Sequence, residues 1–206
     1  MILYGASGHA KVILEIFLLN GVKVDYIVDD NPNRDEIRGI KVYKSSIRNV
    51  DIDKNAVISI GDNKIRKKIA EKYQLIYGTA IHPKSVISEF TEIGIGTVIM
   101  ANATVNADVC IGKHCILNTS CVVEHDCIIE DFSHIAPNAS IAGNVHIGVG
   151  TQIGIGASII QGIKIGKWCI IGAGSVVLND IPDFSTVVGN PGKVIKVSKD
   201  KYDNEK

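Results

Sequence analysis

The sequence predicts an α/β unit over residues 1–80, a parallel β-helix of six-residue repeats over 81–181, and a cap and tail over 182–206. Three observations predict it. An aliphatic residue recurs at every sixth position, small residues and glycines recur in fixed columns of the same frame, and only 12 of the 44 charged residues fall between 81 and 181.

Stepping by six from Ile81 through Ile99, Leu117, Ile135 and Ile153 to Val177, all seventeen positions are Ile, Val or Leu. Four positions after each aliphatic the side chains are mostly small, as at Thr97, Ala103, Cys115, Cys121, Cys127, Ser133 and Ala139, with Val109, Val145 and Ile163 as exceptions. One position after it, Gly94, Gly112, Gly148, Gly154, Gly166 and Gly172 recur, and they are expected at corners that need permissive backbone angles. A short strand, a turn and another short strand cannot bury a face alone, so such units stack, about 4.8 Å apart, with the aliphatics inside. Three such units make one coil.

In the N-terminal segment, 1–4 read as a strand, 5–10 as a tight loop and 11–19 as a helix with Val12, Ile16 and Leu19 on its apolar face. Residues 24–28 form a second strand ending in Asp29-Asp30, and 56–60 a third, running into Gly61-Asp62-Asn63. The helix that follows carries Ile65 and Ile69, and its basic cluster Arg66, Lys67 and Lys68 reads as a solvated face. This order implies a small, Rossmann-like parallel sheet with a nucleotide-type crevice at the strand ends. There the acidic pair can accept hydrogen bonds from a ribose or base, and free helix amides can hold a phosphate. The loop spells G-x-x-G-x rather than G-x-G-x-x-G, so a plain turn remains as a reading, and the missing third glycine counts against the rival reading of a dinucleotide-dependent oxidoreductase.

Balanced charge, 22 basic against 22 acidic residues, argues against nucleic acid as a partner. No apolar run reaches the roughly 18 residues of a spanning helix, and no signal peptide opens the chain, so membrane insertion is not expected and a cytoplasmic location is. Five cysteines without a C-x-x-C pair fit reduced, buried thiols. His82, His114 and His146 share no column, and no metal site is expected. Phe184 to Val197 should close the open end of the prism, and 199–206 reads as a disordered tail.

Polar residues at the corners carry the chemistry. His125 falls at a corner between Glu124 and Asp126, and a carboxylate can fix an imidazole in one tautomer and raise its proton affinity, as a general base near neutral pH requires. His134 follows nine residues later, half a coil away, so one chain should not bring the two together. A site using both lies between subunits of a symmetric oligomer.

Gly5-Ala6-Ser7-Gly8-His9, Val28-Asp29-Asp30-Asn31-Pro32, Ile60-Gly61-Asp62-Asn63, Leu117-Asn118-Thr119-Ser120, Glu124-His125-Asp126, Phe132-Ser133-His134, Ala142-Gly143-Asn144-Val145 and Gly189-Asn190-Pro191-Gly192-Lys193 together resemble the NeuD/PglD family of hexapeptide-repeat sugar O- and N-acetyltransferases. The resemblance runs from residue 1 to about 197. It implies a left-handed β-helix, a homotrimer, acetyl-coenzyme A as cosubstrate and a nucleotide-linked amino sugar as acceptor, in bacterial surface-glycan biosynthesis. By the same resemblance His125 is the general base and Asp126 the acid that raises its basicity. His134, Gly143, Ile155 and Ala173 then meet acetyl-coenzyme A. Ser7, Gly8, His9, Asp29, Asp30, Gly61 and Lys64 form the nucleotide-sugar pocket, and Asn118 faces the substrate near its amine. The implied reaction is N-acetylation of the C4 amine of a 4-amino-4,6-dideoxy sugar. Sialic acid O-acetylation within the same family, and a zinc hydratase on the same β-helix, are the alternatives.

Overall fold

The computed structural model describes residues 1–46 and 54–198. The expected tail at 199–206 lies outside the described residues.

The N-terminal sheet has β1 (Ile2–Tyr4) near its centre. On one side stand β2 (Tyr26–Asp29), β4 (Ile40–Lys44) and β3 (Glu36–Ile37), and on the other β5 (Asn55–Ile58) and β6 (Ile76–Tyr77). All neighbours are parallel except the β3–β4 hairpin, which turns at Arg38-Gly39 in a stretch for which the sequence pattern predicts no strand. The chain leaves β1 for β2 on one side and later returns to its other side as β5, so the loops after β1 and β5 flank a crevice at the strand ends.

Helix α1 (Gly8–Leu19) starts three residues before the expected Lys11 and presents a different face. It buries Ala10, Ile13, Leu14, Ile16 and Phe17, whereas Val12 and Leu19 are exposed. The reason is that α1 packs on two sides, against Leu3, Ile27 and Val57 of the sheet and against Ala80, Val98, Met100 and Ile116 of the prism, so no single stripe describes its burial. Helix α2 (Asn63–Lys72) is capped by Asp62, whose Oδ1 accepts from the Ile65 amide at 2.9 Å. Its buried stripe is Asn63, Arg66 and Ile69, so Arg66 is not part of a solvated face: it is 1% exposed, while Ile65 is 49% exposed.

Seventeen two-residue strands follow, from β7 (Ala80–Ile81) to β23 (Val176–Val177), each ending on one aliphatic of the six-residue series. Within the prism every strand pairs in parallel with its counterpart one coil on, as β10 (Val98–Ile99) does with β13 (Ile116–Leu117) and β13 with β16 (His134–Ile135). Three flat faces result. They enclose one core running from Ile99 to Val187, in which no large ring appears. Aliphatics from three faces meet on the axis, so the low aromatic content follows from the narrow interior.

The small-residue column closes this core with polar bonds. The Thr97 hydroxyl donates to the Gly112 carbonyl at 2.8 Å, Cys115 Sγ to Glu130 at 3.2 Å, Ser133 to Gly148 at 3.1 Å and Thr151 to Gly166 at 2.7 Å. Each of these four reaches a carbonyl of the next coil and is satisfied, whereas the Ser175 hydroxyl in the same column is buried without a partner.

The recurrent glycines answer a different need from the one expected. None of the six has positive φ. A Cβ on Gly94, Gly112, Gly148, Gly154 or Gly166 would instead come within 2.6 Å of the main chain stacked above, so close approach of the coils excludes a side chain. The left-handed corner falls two residues later, at Asn102, Asp108, Asp126, Asn138 and Asn144, where φ is 57–60°. Asn and Asp tolerate that region best among residues with a Cβ. At the C-terminal end β24 (Ser185–Val188) extends one face parallel to β22 (Ile170–Ile171), and β25 (Lys193–Val197) folds back on it. Val187 is thereby buried over the end of the core. Among the described residues no helix is long and apolar enough to cross a membrane.

Candidate active site

His125 and Asp126 form one corner of the prism. Positive φ at Asp126, 60°, turns the chain so that the two adjacent side chains converge, and His125 Nδ1 lies 2.6 Å from Asp126 Oδ2. A carboxylate only accepts here, so Nδ1 carries the proton and Nε2 presents its lone pair outward. The hydrogen bond to Asp126 raises the imidazole pKa above its usual 6.5, with the Asp126 and Glu124 charges adding to it. Glu124 itself turns away and accepts from Asn106 Nδ2 at 2.6 Å. Gly143 occupies the same corner one coil later, and a Cβ there would stand 2.8 Å from Nε2. The missing side chain leaves the face of the base open.

The second group of residues gathers where the N-terminal sheet meets the prism. His134, on β16, approaches Asn118 Nδ2 through Nε2 at 3.0 Å. The Thr119 amide donates to Asn118 Oδ1 at 2.8 Å, which fixes the carboxamide and makes its NH2 the group facing the ring. His134 Nε2 is therefore the acceptor and Nδ1 bears the proton, buried beside the Gly61 carbonyl. Burial, with Arg66 and His9 nearby, lowers the His134 pKa to about 4. His9 Nε2 is likewise buried without a hydrogen bond, and burial followed by the Arg66 charge lowers its pKa to about 4. Both rings are thus neutral at ordinary pH.

In the crevice, Ser7 and Gly8 are exposed at the start of α1, and Ser7 makes no side-chain cap, so the first amides of the helix are open. Asp29 commits both oxygens to main-chain amides, Ala6 at 2.7 Å and Asn31 at 2.8 Å, and so shapes the loop. Asp30 accepts from Ser45 and, at 2.6 Å, from the Tyr4 hydroxyl, bonds that hold its carboxyl below the usual range. Gly61 is half-buried and Lys64 exposed. A cleft of about 520 Å³ opens beside them, between the cap residue Asp62 with Asn63 and Lys64 of α2 and the outward side chains Gln152, Trp168, Ile170 and Phe184.

One chain therefore builds two half-sites. His125, Asp126 and Gly143 share one corner, while His134, Asn118, His9 and Gly61 meet on another side of the prism, with the face carrying β14 (Val122–Val123) between Asn118 and His125. Ile155 and Ala173 are exposed in the column of corners that contains Thr119, not in that of Gly143. Arg66 was missed among the functional candidates. The signal that could have found it was its spacing, three residues from Asn63 and three from Ile69 on one helical face. Among the described residues no three His, Cys, Asp or Glu side chains converge as metal ligands would.

Residues 1–73 match the PglD N-terminal domain family. PerB from Caulobacter crescentus, solved with CoA and GDP-perosamine, is 34% identical and superposes with a TM-score of 0.88 over 95% of this chain and 96% of its own. The acetyltransferase domain of PglB from Neisseria gonorrhoeae, solved with acetyl coenzyme A, is also 34% identical, with a TM-score of 0.88 over 94% and 98%. A 106-residue stretch is 38% identical to the UDP-N-acetylbacillosamine N-acetyltransferase of Bacillus subtilis, covering 47% of this chain and 49% of that protein. The chain spans less of other curated relatives, 17% of the serine acetyltransferase of the same organism. A left-handed β-helix of six-residue repeats, joined to a PglD-type N-terminal sheet, defines an acetyl-coenzyme A-dependent acyltransferase. The chain belongs to the NeuD/PglD family of sugar acetyltransferases.

Proposed function

We propose that the protein transfers acetyl from acetyl-coenzyme A to the C4 amine of a nucleotide-linked 4-amino-4,6-dideoxy sugar, in the cytoplasm, as a step of surface-glycan assembly. The observation that carries this reading is the His125–Asp126 pair, with Nδ1 held at 2.6 Å and Nε2 bare beside Gly143.

An ammonium has no lone pair to attack with. Nε2 of His125 removes one of its protons, and the amine nitrogen then adds to the thioester carbon. The carbonyl π-electrons move to oxygen, where a corner amide near Gly143 stabilises the charge. Collapse of the tetrahedral species breaks the C–S bond, the proton on Nε2 passes to the departing sulfur, and the nitrogen gives up its second proton to solvent, leaving the neutral amide. No bond to the enzyme forms. The likeness to relatives solved with GDP-perosamine and acetyl coenzyme A supports an amino-sugar acceptor over sialic acid.

The nucleotide sits in the crevice of Ser7, Gly8, His9, Asp29, Asp30, Gly61 and Lys64, so binding energy remote from the amine orients it. Because one chain separates His125 from Asn118 and His134, the complete site forms in a homotrimer, where the His125 corner of one subunit faces the Ile155 and Ala173 corners of the next. The pantetheine arm of acetyl-coenzyme A lies in that groove. Release of coenzyme A thiol, measured against UDP-, dTDP- and GDP-linked 4-amino-4,6-dideoxy sugars with sialic acid alongside, tests the reading. Turnover on an amino sugar that falls by about 10²–10⁴ in His125→Ala is expected. Turnover on sialic acid alone moves the acceptor to a hydroxyl and overturns it.

A further inference from the structure

Among the described residues Arg66 is the largest side chain buried almost completely, and its charge is met by main-chain carbonyls. Its Nε donates to His114 at 2.7 Å, Nη1 to Ile60 at 3.1 Å and Gly61 at 3.2 Å, and Nη2 to Phe132 at 2.8 Å and to Asn63 Oδ1 at 2.7 Å. Asn63 Nδ2 in turn donates to Gly150 at 3.0 Å. His114, Phe132 and Gly150 are the same left-handed corner in three successive coils. The coil between the first two of them contains Asn118, His125 and Asp126.

We propose that Arg66, backed by Asn63, is a positioning residue that sets the height of the nucleotide-sugar crevice along the β-helix, at the coil that carries His125. The proposal rests on the reaction proposed above. The guanidinium ties both ends of the link: Ile60 and Gly61 belong to the crevice loop after β5, and His114 and Phe132 bound the His125 coil. Rotation about an axis parallel to the prism leaves height unchanged. The level set in one subunit therefore holds for the His125 of its neighbour in a trimer. Five directed donors in one plane suit carbonyls diverging from two structural units, and an ammonium cannot reproduce them. The same guanidinium stands near His9 and His134, and its charge contributes to keeping both rings neutral. They meet the substrate as hydrogen-bonding groups rather than as cations.

The test compares Arg66→Met, Arg66→Lys and Asn63→Ala with wild type in steady-state kinetics, together with a stability-matched control in the N-terminal core, Ile69→Ala. A displacement of the amine by about 1 Å is expected to lower kcat about 10²-fold in Arg66→Met. Arg66→Lys should recover only part of the loss, Asn63→Ala should lose less than either, and the Kd for acetyl-coenzyme A by calorimetry should stay within threefold. An equal kcat loss in Ile69→Ala, or full rescue by lysine, overturns the proposal. Hydrogen exchange reads the link without turnover: amides 59–66 and 112–134 should lose protection together in Arg66→Met, and loss on one side alone also overturns it. If Arg66→Met does not fold, Arg66→Lys and Asn63→Ala carry both measurements. If wild type acetylates no amino sugar, the reaction fails while the exchange result still decides whether Arg66 couples the two units.

Discussion

The imidazole of His125 and the α-carbon of Gly143 are stacked one coil apart, so that a methyl on the glycine would stand 2.8 Å from both Nε2 and Cε1. Gly143→Ala therefore pushes the ring aside. The ring is exposed and can swing into water, so the fold should tolerate the change, with a melting temperature within a few degrees of wild type. The base, however, loses its orientation. Turnover should fall on the order of 10²-fold, and a variant that keeps activity within threefold would show that His125 does not act from this rotamer.

Asp126 raises the proton affinity of His125, and the active form is the unprotonated imidazole. In wild type kcat/KM should climb with pH through an inflection above 6.5, the ring's ordinary value. Asp126→Asn removes the charge, so the inflection should move down toward 6.5 while the plateau falls, because a carboxamide can no longer enforce the tautomer with Nε2 bare. A pH profile of kcat/KM from 5.5 to 9 checks both signs.

His9, His114 and His134 are each lowered from 6.5 to about 4, mainly by burial. Their unfolded forms bind protons first. Stability is fully present above 6.5, begins to fall below it, and is lost as pH drops through about 4. Unfolding free energies from urea titrations at pH 7.5, 6, 5 and 4.5 should decrease steadily, by up to roughly 8 kcal/mol in total. A flat profile would mean that these rings are hydrated.

Two glycine substitutions in the β-helix should separate in cost. A Cβ at Gly148 would lie 2.6 Å from the Gly166 carbonyl carbon and 2.7 Å from the Lys167 nitrogen, which cannot yield without parting the coils. At Gly162 the space is open and the only obstacle is φ of +71°, worth about 1–2 kcal/mol. Thermal unfolding should show Gly148→Ala as the more destabilised, and Gly162→Asn close to neutral.

The β-helix was legible because one periodicity decides strand, turn and core at once, and no competing element has a six-residue period. Its corner chemistry was assigned two positions too early. Glycine signals both positive φ and close approach, and the column of the repeat separates the two: Gly112 follows its aliphatic by one position, Gly150 by three. The Asn and Asp residues at 102, 108, 138 and 144 held the correct signal. In the N-terminal unit, Val12 and Leu19 depart from the expected burial because a single apolar stripe assumes a single packing partner, and α1 has two; Ile65 departs from it because α2 buries Asn63, Arg66 and Ile69 instead. Arg66 shows the same limit: no local pattern says that four carbonyls from two units will converge on a guanidinium. The His125–Asp126 contact was suggested by adjacency, whereas the pairing of Asn118 with His134 depends on coil stacking.

The small-residue column also acts as a substitution table that the protein carries within itself. Each interior cysteine has counterparts in the coils before and after it: Thr97 and Ser133 for Cys115, Ala103 and Ala139 for Cys121, Val109 and Val145 for Cys127, Thr151 and Ser185 for Cys169. The neighbouring coils already demonstrate that a hydroxyl, a methyl or an isopropyl fits the respective slot. A thiol-free protein is therefore written out in advance, as Cys115→Ser, Cys121→Ala, Cys127→Val and Cys169→Thr, with the exposed Cys110 replaced freely.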